Sequence, residues 1–135
     1  MGVRRRRRRL GCGQRRRARV VRRGEICAVD FDPVRGSEAN KRRPAVIVSN
    51  ERANTAAERL GRGVVTVVPI TSNIDRVYPF QVLLPADEVG LRVDSKAQAE
   101  QVRAVSLGRV GPVLGHVPAS LMDALDDAMR IHLDL

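Results

Sequence analysis

The sequence is poor in aromatic residues. Its 135 residues include no tryptophan, one tyrosine and two phenylalanines. Affinity for single-stranded nucleic acid commonly comes from bases that stack on aromatic side chains, at about 1–3 kcal/mol per base. Any such stacking must be sparse here, with Tyr78 and Phe80 as the main candidates, so a nucleic-acid ligand would depend mainly on arginine, amide and hydroxyl groups.

Metal-binding and cofactor-binding motifs are missing as well. Cys12 and Cys27 lack the spacing of a zinc site and indicate no disulfide framework, so a reducing cytoplasm is the simplest setting. There is no His-Glu-x-x-His motif, no carboxylate cluster dense enough for magnesium and no glycine loop followed by Lys-Ser/Thr. No long apolar run predicts a membrane span. We therefore expect no metal and no cofactor.

Acidic residues are absent from the N-terminal segment. Residues 1–22 hold 11 of the 25 basic residues and no acid, which leaves 14 basic and 15 acidic residues in the remainder. A segment of this composition is predicted to be disordered. Three interpretations of this segment are open. It would bind phosphates non-specifically through its arginines, or it would act in targeting, although Leu10–Gln14 is not apolar enough for the core of a signal peptide. In the third, the natural start lies near Val20 and Val21, downstream of the segment. One folded domain is predicted over residues 23–135.

Two apolar segments predict buried strands that each end in polar residues. The strand Ala45–Val48 begins after a charged loop, and the strand Val64–Ile70 runs directly into Thr71, Ser72 and Asn73. Strands fix what the adjoining loops present, so this pattern predicts a site built from two strand ends.

The loop before Ala45–Val48 concentrates charge. Gly36 permits a turn that other residues resist. The polar side chains around it are Ser37, Glu38, Lys41, Arg42 and Arg43. Pro44 suits the first position of a strand because it donates no ladder hydrogen bond, so Arg43 is predicted to lie at the edge of rigid structure.

The remaining pattern predicts shorter elements. They are a strand at Glu25–Phe31, a helix at Glu51–Leu60 between the caps Asn50 and Gly61, a strand at Phe80–Leu84, a turn at Pro85–Gly90, a short strand or hairpin in Leu91–Ala99, an extended segment at Glu100–Val105, a loop with a short strand at Gly108–Gly115, and a helix at Pro118–Leu133 capped by Ser120.

The loop Asn73–Pro79 has two interpretations. It is either a flap over a groove, with Arg76 on a phosphate and Tyr78 on a base, or an ordinary crossover loop.

Several of these segments carry a family resemblance. They are Arg23-Gly24-Glu25-Ile26, Asp30, Asp32-Pro33, Arg35-Gly36-Ser37-Glu38, Arg43-Pro44-Ala45-Val46, Ser49-Asn50, Val67-Val68-Pro69-Ile70-Thr71-Ser72-Asn73, Pro79-Phe80, Gln101-Val102-Arg103 and the C-terminal helix. In order and spacing they resemble the MazF/PemK family of toxins, from Arg23 to Leu135. The resemblance implies an α+β fold, a curved antiparallel sheet that forms an SH3-like (CcdB/PemK-like) barrel with a C-terminal helix.

The same resemblance implies a function. Members of the family are metal-independent endoribonucleases that cleave single-stranded mRNA at a short sequence and leave a 2′,3′-cyclic phosphate and a 5′-hydroxyl. Arg43 would stabilise charge on the phosphate, and Thr71 would hydrogen-bond a phosphate oxygen. The substrate-binding residues would be Ser37, Glu38, Arg42, Ser72, Asn73, Arg76 and Tyr78. A guanidinium stays protonated in proteins and is a poor base, so the acceptor of the 2′-hydroxyl proton stays open.

Partners are implied in the same way. Relatives are homodimers held inactive by a MazE-like antitoxin, whose acidic, extended segment covers the groove. Two alternatives remain from other classes: a toxin of the same barrel that binds and poisons DNA gyrase without cutting, and a barrel that binds RNA but has lost catalysis.

Overall fold

The computed structural model describes residues 20–31 and 42–135. Its strands are β1 (Glu25–Asp30), β2 (Arg42–Ile47), β3 (Val64–Thr71), β4 (Gln81–Leu84), β5 (Ser95–Gln98), β6 (Arg103–Ser106) and β7 (Val110–His116). Its helices are α1 (Glu51–Leu60), α2 (Ala86–Val89) and α3 (Ala119–Leu133), with 3₁₀ turns at Ala99–Gln101 and Leu107–Arg109. None of these helices is long and apolar enough to cross a membrane.

The strands form one antiparallel sheet in the order β4-β5-β3-β2-β1-β7, and β6 also pairs with β3. One edge of β3 pairs with two different strands. Val64–Val67 pair with β6, and Ile70 and Thr71 pair with β5. Pro69 lies between these two stretches, where a residue without an N–H group is tolerated. The predicted antiparallel sheet with a C-terminal helix is confirmed.

Apolar side chains fill both faces of the sheet, because successive residues of a strand point to opposite faces. The core beside α3 is built from Ile26, Val46, Val68, Ile70, Leu84, Met122, Leu125 and their neighbours. The core on the other face is built from Cys27, Val29, Ala45, Ile47, Val65, Val67, Ala57 of α1 and their neighbours. A shift of one residue in the pairing would disturb both cores, so packing fixes the register.

The helix α1 has the bounds that the sequence predicts. The side chain of Asn50 accepts a hydrogen bond from the Ala53 N–H at 2.8 Å, and Gly61 ends the helix in the left-handed conformation (φ 73°). The helix is joined to the sheet by Asn54, which is 1% exposed. Its amide group donates to the Ser49 carbonyl at 3.0 Å, and its side-chain oxygen accepts from the Ser49 hydroxyl.

Arg23, which lies just before β1, contacts both long helices. Its backbone N–H donates to the carboxylate of Glu51 at 3.1 Å, and its Nε donates to the Val48 carbonyl at 3.0 Å. Its guanidinium also forms an ion pair with Asp126 of α3. Arg23 therefore joins β1, α1 and α3 at one corner of the fold.

Some sequence predictions were wrong in detail. Pro118, not Ser120, occupies the N-cap of α3, and no side chain caps that end. The predicted turn at Pro85–Gly90 contains the short helix α2, and the predicted extended segment Glu100–Val105 is interrupted by a 3₁₀ turn before β6 begins.

The segment Gly108–Gly115, predicted to be a loop with a short strand, contains most of the seven-residue strand β7. Gly111, Pro112 and Gly115 disfavour strand structure, but β7 pairs with β1 alone at the end of the sheet, where proline is tolerated. Gly115 is also required by a close approach, since a Cβ there would lie 2.1 Å from the carbonyl oxygen of Val89 in α2.

The buried amide of Asn54 generates a stability prediction. Asn54→Ala should lower the free energy of unfolding by about 2 kcal/mol, because it leaves the Ser49 carbonyl and hydroxyl without this partner. Thr55→Ala, at an exposed position of the same helix, should change it by less than about 0.5 kcal/mol. Urea denaturation of both variants measures the difference, and equal losses would contradict the structural role given to Asn54.

Candidate active site

The two polar strand ends meet at one end of the sheet. β2 and β3 are antiparallel, with Ala45 opposite Pro69 and Ile47 opposite Val67. The pairing ends at Ala45 and Pro69, and continued by two residues the register would place Arg43 opposite Thr71. The start of β2, with Arg43, and the end of β3, with Thr71, therefore lie at the same end of the sheet.

A cavity of about 390 Å³ opens beside these strand ends, which is within the size range of small-molecule sites. Its lining, among the described residues, is Arg43, Pro44, Ile70, Thr71, Ser72, Leu91, Arg92, Val93 and Ser95. Arg43 and Thr71 both contribute to this wall. Arg92 adds a second guanidinium, at a position that sequence reasoning did not select.

The hydroxyl of Thr71 is already oriented by its neighbours. Its Oγ1 accepts a hydrogen bond from the Asn73 N–H at 3.2 Å, and the Asn73 side-chain oxygen accepts from the Asp75 N–H at 3.2 Å. A threonine hydroxyl has one donor and two acceptor sites. With one acceptor site engaged by Asn73, the O–H of Thr71 can donate to an anionic oxygen in front of it.

The loop that follows Thr71 carries an aromatic pair. The rings of Tyr78 and Phe80 are stacked, with centroids 5.3 Å apart and an interplanar angle of 4°. The guanidinium of Arg76 lies 5.7 Å from the centroid of the Tyr78 ring and donates to its hydroxyl at 3.1 Å. Tyr78 is 41% exposed, so this stack presents a flat surface and a cation to the solvent.

Two buried polar side chains hold this loop from below. Gln81, which is 8% exposed, accepts from the Tyr78 N–H at 3.1 Å and donates to the carboxylate of Glu100 at 2.8 Å. Lys96, which is 7% exposed, donates from its ammonium to the backbone carbonyl of Arg76. The loop is thus anchored at Arg76 and Tyr78, two of the predicted substrate-binding residues.

Of the other predicted site residues, the structure describes Arg42 and Ser72, and it places them differently. Arg42 points to the opposite face from Arg43, and its guanidinium lies so close to Gly111 of β7 that a Cβ there would be 2.6 Å from Nη1. Arg42 is not among the described residues that line the cavity, whereas Ser72 is. Ser37 and Glu38 lie outside the described residues.

Sequence reasoning missed Lys96 and Gln81 as parts of this region. Lys96 is paired with Thr71 on one side and with Leu83 on the other, so it shares a face with the candidate hydroxyl. Arg103 is not among the described residues that line the cavity. The guanidinium of Arg103 lies 5.2 Å from the centroid of the Phe31 ring, and Phe31 belongs to the core that contains Ala57 of α1.

Within residues 20–31 and 42–135, no three His, Cys, Asp or Glu side chains are grouped so that they would hold a metal ion.

The family of the chain follows from comparison with known proteins. Residues 22–133 match the sequence signature of the PemK-like, MazF-like toxins of type II toxin-antitoxin systems. The chain belongs to this family. A relative in Mycobacterium tuberculosis (strain ATCC 25618 / H37Rv), named endoribonuclease MazF9, is 61% identical over 116 residues, which is 86% of this chain and 98% of the relative. Endoribonuclease is therefore the activity that the comparisons support for this MazF-like toxin.

Solved structures agree on the fold. A crystal structure of MazF from Deinococcus radiodurans superposes on this MazF-like toxin with a TM-score of 0.68 and 26% identity, over 87% of this chain and 99% of that one. A structure of MazE-MazF from the same organism gives a TM-score of 0.67 at 24% identity, over 87% and 98%. The curved sheet with its C-terminal helix is thus the fold of the MazF toxins.

The anchoring of the loop can be tested without a ligand. Gln81→Leu should speed hydrogen exchange of the Tyr78 amide by about an order of magnitude, because that amide loses the acceptor that protects it. Leu83→Gln, an exposed position on the same strand, serves as the control. If amide exchange at Tyr78 is equally fast in the wild type and in Gln81→Leu, the loop is not held in this way.

Proposed function

We propose that this MazF-like toxin is a metal-independent endoribonuclease that cleaves single-stranded mRNA at a short sequence and leaves a 2′,3′-cyclic phosphate and a 5′-hydroxyl. The observation that carries the proposal is the presence of Arg43 and Thr71 in the wall of one cavity. The catalytic domain is assigned to residues 23–135, and the substrate region to the cavity and the loop that follows Thr71.

RNA carries its own nucleophile for this reaction. The 2′-oxygen loses its proton and attacks the neighbouring phosphorus, the bond from phosphorus to the 5′-oxygen breaks, and the 5′-oxygen takes up a proton. The enzyme must hold the attacking and leaving oxygens in line and stabilise the added negative charge on the phosphorane. Arg43 does this with its guanidinium, and Thr71 with the hydroxyl donor that Asn73 leaves available.

Recognition of an unpaired strand is assigned to the loop. In single-stranded RNA the bases are free to leave their neighbours and stack on an aromatic side chain. The exposed Tyr78, supported by Phe80, offers a face of this kind, and Arg76 offers a cation for an adjoining phosphate. Asn73 and Ser72 lie between this stack and Thr71 in the chain, where they would contact the same nucleotide. Ser37, Glu38 and Arg42 are proposed to support binding from the other side.

Partners are proposed from the relatives. The solved MazE-MazF assembly supports a MazE-like antitoxin for this chain, whose acidic segment would cover the exposed cations Arg43 and Arg76. A homodimer in the cytoplasm completes the proposal.

The proposed reaction is tested with purified protein and a single-stranded RNA in EDTA. We expect cleavage to products with 2′,3′-cyclic phosphate and 5′-hydroxyl ends, and sequencing of the new 5′ ends gives the recognised sequence. Arg43→Ala should reduce kcat/KM below detection because the phosphorane loses its cation. Arg59→Met, which removes an exposed charge from α1, should cut normally. Intact RNA together with inhibition of DNA gyrase would contradict the proposal.

A second pair of variants isolates the hydroxyl of Thr71. Thr71→Val keeps the shape of the side chain but removes the donor, and should lower kcat by about tenfold or more. Thr71→Ser keeps the hydroxyl and should retain most of the rate. Single-turnover cleavage of a short RNA at saturating enzyme measures both, and a Thr71→Val variant as fast as Thr71→Ser would remove the hydroxyl from the mechanism.

A further inference from the structure

Lys96 is the only buried basic side chain among the described residues. Removing an ammonium group from water is costly unless it gains hydrogen bonds in return. The partner that the structure shows is the backbone carbonyl of Arg76, in the loop between β3 and β4. An apolar side chain of the same length would fill this position without the desolvation cost, so what the ammonium contributes is the contact with the loop.

The topology explains why a residue of β5 reaches this loop. The chain leaves β3 at Thr71 and enters β4 at Gln81, but β5 lies between these two strands in the sheet. The loop must therefore cross over β5. Lys96 lies opposite Thr71 on β3 and opposite Leu83 on β4, directly under the crossing.

The carbonyl that Lys96 holds belongs to Arg76, whose guanidinium contacts the exposed stack of Tyr78 and Phe80. Arg76 donates to the Tyr78 hydroxyl, and Tyr78 stacks on Phe80. Gln81 holds the other side of the stack through the Tyr78 N–H at 3.1 Å. Without Lys96 the loop would keep the Gln81 anchor but lose its fixed point beside Thr71.

We propose that Lys96 is a positioning residue of the ribonuclease: by holding the Arg76 carbonyl it fixes the Tyr78 stack relative to Thr71, so that the base beside the scissile phosphate is bound while that phosphate reaches Thr71. The inference rests on the proposed function, and it adds a residue that touches neither the base nor the phosphate. Lys96 sets the distance between the place where the base stacks on Tyr78 and the place where the phosphate meets Thr71.

The composition of the chain supplies a direct probe of this spacing. Tyr78 is the single tyrosine and there is no tryptophan, so the intrinsic fluorescence of the protein reports on this loop alone. Lys96→Met keeps the length of the side chain and removes the ammonium. We expect acrylamide to quench Tyr78 about twofold more efficiently in Lys96→Met than in the wild type, since the released loop exposes the ring. Arg59→Met is the matched control for the loss of one positive charge.

Cleavage kinetics separate positioning from a general loss of structure. Lys96→Met should raise KM for a short single-stranded RNA by about tenfold, because the stacking contact between the base and Tyr78 is weakened. It should leave kcat within about threefold of the wild type. Lys96→Arg, which keeps a buried cationic donor, should restore part of the lost affinity. Circular dichroism melting checks that each variant is folded at the assay temperature.

The outcomes are distinguishable from failure of the proposed function. Unchanged quenching in a folded Lys96→Met variant would overturn the inference, and so would a fall in kcat at constant KM, because a group that acts on the phosphate affects the chemical step. The fluorescence arm needs no cleavage. A wild-type protein that cuts no RNA would contradict the proposed function, while increased quenching in Lys96→Met would still support Lys96 as the residue that holds the loop.

Discussion

The antiparallel pairing of β2 with β3 is the constraint on which the site depends. Ala45 and Ile47 fill one core while Val46 fills the other, so a slip of one residue would exchange the two sets and spoil both. Two residues beyond the last of these pairs come Arg43 on β2 and Thr71 on β3, and both line one cavity. The packing that stabilises the sheet therefore also brings together the two groups proposed to act on one phosphate.

The loop after β3 uses the few aromatic residues of the chain in a concentrated way. Tyr78 and Phe80 stack on each other, and the remaining aromatic residue, Phe31, lies against Arg103. Backbone groups of the loop are held by Gln81 and Lys96, which are both buried. A single aromatic face can be enough for a base to stack on if the loop that carries it is held rigidly. Binding then costs little conformational entropy, because the loop is already ordered.

The sequence predicted the parts of this arrangement that depend on local pattern. Alternation predicted β1, an apolar run predicted β3, and the caps Asn50 and Gly61 predicted α1. Two strands ending in polar residues predicted a site at this end of the sheet, and the family resemblance singled out Arg43 and Thr71 within it. What depends on tertiary neighbours was not predictable. A lysine in Ser-Lys-Ala-Gln is typical of an exposed strand position, and Lys96 is buried only because the loop crosses β5. The Gly-Pro sequence of β7 indicated a loop with a short strand, and the strand extends over seven residues because it lies at the edge of the sheet.

A double-mutant cycle tests the central claim most directly. The kcat/KM for single-stranded RNA is measured in EDTA for the wild type, Arg43→Lys, Thr71→Val and the double variant. If the guanidinium and the hydroxyl stabilise the same phosphorane, the losses are not additive, and the double variant is less impaired than the product of the single effects by about fivefold or more. Strictly multiplicative losses would mean that the two groups act independently, which would contradict a shared phosphate site.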